Sequence, residues 1–263
     1  MSELSIDAVA AAGAAWVWMP DDAEVFRDGT CTVLRLPEHY SFDLSVVSFT
    51  PAAAPLPEAV DAVLALARTL GPRVLDWQVL IGDPAGLAEE LAARGGRVKL
   101  DLEILAADLS RGAPELQPPT VEVELRWATD TATALDAVAA EAAGFGGALP
   151  PAERAGRVAE RGARSVPAGG GGTLVAYVDG EPAGTGGVAL VDGVARLTGG
   201  AVVPARRGRG VYRALLAARL SYAAAHGARM ALVKGNPATS GPILQKAGFA
   251  VHGREPVYAV PLD

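Results

Sequence analysis

Cysteine is almost missing from this chain: Cys31 is the only one in 263 residues. No internal disulfide can form and no zinc site can be built on thiolates, so a reducing, cytoplasmic setting is expected and no metal is implied. Lysine is scarce as well, 3 residues against 20 arginines. With abundant alanine, that bias points to a GC-rich bacterial genome. No lysine or arginine precedes Arg27, so the basic start of a secretory signal is lacking and none is expected. No apolar run approaches the ~18 residues a membrane span needs. The nucleotide P-loop pattern G-x-x-x-x-G-K-[ST] occurs nowhere.

Hydrophobic residues make up 50% of the chain and charged ones 20%, the balance of a globular protein with ample core. The length suits two small domains. The net charge of −7 is uneven: residues 1–118 hold 8 basic and 18 acidic residues, residues 119–263 hold 15 and 12. An acidic first half argues against nucleic acid as a partner.

Periodicity predicts an alternation of strands and helices. In the first half, helices are expected at 6–15, 57–70 and 84–94, the last capped by Asp83 with Pro84 at its first position. Strands are expected at 31–36, 45–49, 74–81 and 98–105. Prolines 114, 118 and 119 mark a linker over 111–120. The division is therefore 1–110, linker, 121–263. In the second half a strand at 121–127 precedes helices at 131–143, capped by Thr129 or Asp130, and at 151–164. Gly169–Gly172 reads as a flexible loop. Three strands follow as a meander, 173–178, 183–190 and 194–203, with hairpin signals at Asp179-Gly180 and Asp192-Gly193. A helix from Val211 to about His226, a strand at 230–233, a helix at 239–247 and a closing strand at 257–260 complete the chain.

The turn Arg206-Arg207-Gly208-Arg209-Gly210-Val211 joins the third meander strand to the helix. Helix N-termini present unpaired N–H groups and partial positive charge, and glycines let a ligand approach the backbone. Read from its residues alone, the turn suits either a solvated basic bend or a phosphate site. It is a poor dinucleotide fingerprint, because the third glycine place holds Arg213.

The flanks resemble the GNAT superfamily of N-acyltransferases over residues 120–263. The family turn is Q/R-x-x-G-x-G/A after a strand ending apolar-x-Pro. Here Val202-Val203-Pro204 ends the strand, Arg207 holds the Q/R place and Gly210 the first glycine place, while Tyr212 departs from Gly/Ala. Asn236, a short helix and Gly248-Phe249 follow in family order. The run "LAEELAARGGRVKLDLEILAADL" looks like the tail of a second, degenerate copy without the turn. The resemblance implies an α/β (α+β) protein of two GNAT-like units, each a mixed, mostly antiparallel sheet flanked by helices. It also implies acetyl-coenzyme A as co-substrate and a small amine as acceptor. The pantetheine arm would lie along Ala201, Val202 and Val203. The pyrophosphate would sit on the amides of Gly208, Arg209, Gly210, Val211 and Tyr212, with Arg207 adding charge. Asn236 and Ser240 would reach the cofactor, or form a turn and a helix cap.

Two family catalytic positions are vacant. The tyrosine four residues before the Gly-Phe glycine is Leu244, and the strand 194–203 carries no glutamate. Tyr212 and Glu141 are the catalytic candidates in their place. Thr198, His226, Glu38 and His39 are weaker ones, His226 being suited to cap the helix as a cation. Without a working acid and base, the alternative is a binding or sensory module that keeps the fold.

Overall fold

The computed structural model describes residues 4–20, 22–38, 40, 42–51 and 54–263; His39 lies outside them. In chain order the elements are α1 (Ile6–Ala14), β1 (Glu24–Arg27), β2 (Cys31–Arg35), β3 (Leu44–Phe49), α2 (Leu56–Thr69), β4 (Val74–Gln78), α3 (Leu87–Ala93) and β5 (Arg97–Asp108). Then come β6 (Glu124–Trp127), α4 (Thr131–Phe145), α5 (Ala152–Ser165), β7 (Gly171–Val178), β8 (Glu181–Val191) and β9 (Val194–Val202). A 3₁₀ turn (Pro204–Arg206), α6 (Val211–Ala225), β10 (Met230–Gly235), α7 (Ser240–Lys246) and β11 (Ala250–Pro261) end the chain. Among the described residues no helix is long and apolar enough to cross a membrane.

The chain forms two compact units. The N-terminal one is Ser5–Ile104 with Gly235–Pro242 and Val251–Asp263. Its strands run β1-β2-β3-β4-β11, antiparallel except for the β3–β4 pair. The core lies between this sheet and α2 and α3. Val60, Val63, Leu64 and Ala67 recur at helical spacing on α2 and meet Val46, Leu75, Trp77 and Val260. The chain's last strand therefore lies in this unit, pairing Val257 with Gln78 and Pro261 with Val74, rather than with the residues before it. An alternating strand carries no record of its partner in its own sequence.

The other unit is built chiefly from Leu105–Lys234 and Ile243–Ala250. Its strands run β10-β9-β8-β7-β6, antiparallel except for β9–β10. Alternation along β7 gives the sheet two apolar faces. Val175 and Tyr177 meet Ala134, Ala137 and Val138 of α4 and Ala155 and Ala159 of α5. Leu174, Ala176 and Val178 meet Val211 and Leu215 of α6. Both Asp-Gly hairpins form as expected, with Asp179 at φ 56° and Asp192 at φ 51°.

Two local expectations are corrected, at Asp83 and at Gly171–Gly172, and two features are added that no expectation covered. β1, a short edge strand, carries too few residues to show a period. Asp83 does not cap a helix: its carboxylate accepts from the Leu80 amide at 2.8 Å, and α3 starts at Leu87, behind Gly86. Gly171 and Gly172 open β7 instead of forming a loose loop. A β-carbon on Gly171 would stand 2.2 Å from the Val188 carbonyl oxygen, so those glycines serve close approach. The segment at 111–120 is tied down: Arg213 donates to the carbonyls of Gln117 (3.2 Å) and Pro118 (3.4 Å), and Thr120 donates to that of Arg209.

Candidate acyl-donor site

β9 and β10 run side by side only from Val194–Met230 to Leu197–Val233. Beyond Leu197, β9 pairs with β8 alone among the described residues, leaving its other edge open. At the point of departure β9 is bulged. Between the Gly187–Thr198 and Thr185–Ala201 pairs, β8 contributes one residue and β9 contributes two, Gly199 and Gly200. Gly199 sits at φ 56°, the left-handed conformation that such a bulge requires.

The two glycines face different neighbours. A β-carbon on Gly200 would lie 2.9 Å from Tyr212 Cε2 and 3.5 Å from its hydroxyl oxygen, so the ring of this first-turn α6 residue covers Gly200. A β-carbon on Gly199 would lie 3.5 Å from Glu141 Oε1. Glu141 is on α4, which packs on the other sheet face. Its second oxygen accepts from Arg154 Nη2 at 2.7 Å, so the carboxylate is held and not splayed into solvent. The two catalytic candidates thus flank one glycine pair. Gly144, three residues after Glu141, fixes this height: its added β-carbon would be 2.6 Å from that of Ala201.

After β9 the chain turns through Val203, whose amide donates to the Ala183 carbonyl at 2.9 Å. Arg207, Gly208 and Arg209 are exposed. Gly208 (φ 77°) and Gly210 (φ 84°) carry the bend into α6. The first backbone bond of the helix is Ala214 N–H to the Gly210 carbonyl, and no side chain caps its start. Among the described residues, the six amides from Gly208 to Arg213 have no acceptor within the chain. A run of amides without an acceptor at a helix N-terminus is an arrangement that favours an anion.

The three arginines divide their work. Arg206 pairs with Asp179 at 2.9 Å. Arg207 does not stand free as added charge. Its Nε donates to the Val202 carbonyl at 3.1 Å and its Nη2 to the Gly144 carbonyl at 2.7 Å, which ties the end of β9 to the end of α4. Only Arg209 leaves its guanidinium exposed without a partner among the described residues.

Asn236 and Ser240 form a local turn. Asn236 Oδ1 accepts from the Ala238 amide at 2.8 Å, and Ser240 Oγ accepts from the Asn236 amide at 2.9 Å. Leu244, at the family's tyrosine place, is fully buried among Leu216, Leu220 and Phe249. Thr198 is exposed and leans over Gly187. His226 ends α6 by bonding the Tyr222 carbonyl at 2.8 Å and stacking on its ring at 4.1 Å. Glu38 is exposed on the N-terminal unit. Sequence reading missed the bulge and Arg219, which lies beneath it. The signal for the first was the Gly-Gly pair inside an otherwise apolar strand.

Residues 123–249 match the model of the acetyltransferase (GNAT) family. No curated protein matches the chain. Among solved structures, a GCN5-related N-acetyltransferase from Kribbella flavida is 18% identical, with 99% of this chain and 97% of that one covered at a TM-score of 0.68. A GCN5-related N-acetyltransferase from Sphaerobacter thermophilus is 17% identical over 89% of this chain and 77% of that one, TM-score 0.64. A tandem GNAT protein from the clavulanic acid biosynthesis pathway is 18% identical over 97% and 88%, TM-score 0.64. At such identities the likeness is one of fold.

Proposed function

We propose that this protein, whose residues 123–249 carry an acetyltransferase domain of the GNAT family, is an N-acyltransferase that moves the acetyl group of acetyl-coenzyme A to a small amine. The observation that carries this reading is the run of free amides from Gly208 to Arg213, set at the end of a strand whose edge is open. A pyrophosphate suits these amides, and the extended pantetheine arm suits the open edge of Thr198–Val202 as an added strand. The thioester would then lie beside Gly199 and Gly200, with Glu141 and Tyr212 flanking it.

In this mechanism the amine nitrogen attacks the thioester carbonyl carbon. The proton lost from nitrogen goes to the Glu141 carboxylate as base. The C–S bond breaks with its electron pair on sulfur, and the Tyr212 hydroxyl gives its proton to that thiolate. Backbone cradling of the cofactor does not need Arg207 as a charge; it serves by holding the strand end in place.

The N-terminal unit reads as a degenerate copy of the same fold. It has strand, helix and strand in that order, yet α2 begins behind Pro55 with no Gly/Arg bend. A cytoplasmic site of action fits a chain with a single thiol.

One observation favours a second reading, a binding or sensory module. The family's acid position is filled by a core leucine, Leu244. Calorimetry and a thiol-release assay separate the two. An enzyme binds acetyl-coenzyme A and releases thiol with some member of a primary-amine panel. A module binds it and releases none. Absence of binding rejects both.

A further inference from the structure

Arg219 lies seven residues after Tyr212, two turns along α6 on the same face. It is 1% exposed. Its Nε donates to the Leu215 carbonyl at 3.1 Å, and its Nη1 to the Gly187 carbonyl at 3.1 Å, with the Thr198 carbonyl at 3.5 Å. No carboxylate pairs with it among the described residues, and Nη2 is buried with no hydrogen-bond partner. The guanidinium sits in space that only glycines leave. A β-carbon on Gly186 would stand 2.8 Å from its Cζ, and one on Gly200 would stand 3.6 Å from Nη2. That same point above Gly200 is 3.5 Å from the Tyr212 hydroxyl oxygen.

A buried cation without a carboxylate is costly, and a leucine like its neighbours Leu216 and Leu220 would fill this site more stably. Burial pulls the guanidinium's pKa down, and the Tyr212 oxygen is the group that pushes it back up. What joins the two side chains in space is that both approach one point above Gly200, the hydroxyl oxygen to 3.5 Å and Nη2 to 3.6 Å. Leu215, Leu216 and Leu220 around them on α6 carry no charge. Arg213 turns to the Gln117 and Pro118 carbonyls, Arg196 on β9 to the Val191 carbonyl, and Glu141 lies at Gly199.

We propose that Arg219 is a positioning residue for acyl transfer: it holds the Tyr212 side chain over Gly200 and stabilises the negative charge left on the tyrosine oxygen once its proton has gone to the departing thiolate. The inference rests on the reading of Tyr212 as the acid. The electron pair of the broken C–S bond stays on sulfur, sulfur takes the phenolic proton, and the phenolate beside Arg219 is reprotonated from solvent.

The test is a double-mutant cycle on thiol release from acetyl-coenzyme A with the most active amine of the panel. Tyr212→Phe should lower kcat by about 10²-fold or more. Arg219→Met should lower kcat at least ~10-fold while KM for acetyl-coenzyme A moves little. In the Tyr212→Phe background, Arg219→Met should cost nothing further; with Tyr212 present, Arg219→Lys should lose less than Arg219→Met. Multiplying losses, or an unchanged kcat, overturn the inference and leave the acyltransferase reading standing. If Arg219→Met does not fold, Arg219→Lys is measured in both backgrounds by the same criterion. Failure of both to fold makes Arg219 a structural residue and also overturns the inference. A wild-type protein that releases no thiol with any amine overturns the inference and the enzyme reading together.

Discussion

Gly210 stands directly against Pro119: a β-carbon on Gly210 would lie 2.7 Å from Pro119 Cα and 3.1 Å from its Cβ. The proline-rich segment is thus a wall of the bend rather than a slack tether. Gly210 also needs its left-handed backbone, at φ 84°. Gly210→Ala meets both penalties and is expected to cost about 1–3 kcal/mol, with a lower melting temperature and at least ~10-fold weaker coenzyme A binding. Gly208→Ala is the control. It shares the positive φ, 77°, but its β-carbon meets open space, so only the conformational cost of about 1 kcal/mol applies. Calorimetry and thermal unfolding of the two variants check the difference. Equal losses would mean that Pro119 contributes nothing to the shape of the bend.

What the residues disclosed follows from how local each cause is. The cap of α4, narrowed to Thr129 or Asp130, the two Asp-Gly hairpins and the α6 face of Val211, Leu215, Leu216 and Leu220 depend on neighbours within a turn or two, and all were readable; the structure places the cap at Asp130. The partner of β11, the anchoring of Gln117 and Pro118 by Arg213 and the closeness of Gly171 to Val188 depend on residues far away in the chain. The candidate site is mixed in the same way. The bend is a local motif and stood out at once. The convergence of Glu141 and Tyr212 on Gly199 and Gly200 needs α4, β9 and α6 assembled. Arg219 was hidden because a charged residue on a helix is ordinarily solvated, and burial is not written in its spacing.

Cys31 and Asp28 form a small linked pair at the start of β2. Burial pushes the Cys31 thiol up to about 12, and the nearby Asp28 carboxylate adds to it. Native protein should resist iodoacetamide at about pH 8 and react once unfolded in urea. Burial also pulls on Asp28, but hydrogen bonds from Thr30 and Cys31 outweigh it and hold the carboxyl down at about 2. A carboxyl whose folded pKa lies below its unfolded value stabilises the fold above the unfolded value, near 3.8, and loses that contribution as pH falls through about 2. The group is mostly exposed, so its effect is on the order of 1 kcal/mol after screening. Urea unfolding of wild type and Asp28→Ala should differ by a constant amount above about pH 4, and the gap should close toward pH 2. A gap that widens with acid would contradict the hydrogen-bond account.

Glu141 offers the sharpest separation of chemistry from binding. Its carboxylate approaches the bulge at Gly199, away from the amides of Gly208–Arg213 that would hold the cofactor. Glu141→Gln keeps the shape and an acceptor oxygen for Arg154 Nη2, now at 2.7 Å, while removing the basic lone pair. If Glu141 takes the amine proton, kcat should fall about 10²–10⁴-fold, with coenzyme A affinity unchanged by calorimetry. Amines supplied already deprotonated, at alkaline pH, should recover part of the rate, because a free base needs less help to attack. A kcat within about twofold of wild type, below any loss expected of a base, would move the proton acceptor to solvent and leave Glu141 as the tie that fixes Arg154 against α4. A parallel loss of affinity would mean that the substitution disturbs the strand end rather than the proton transfer.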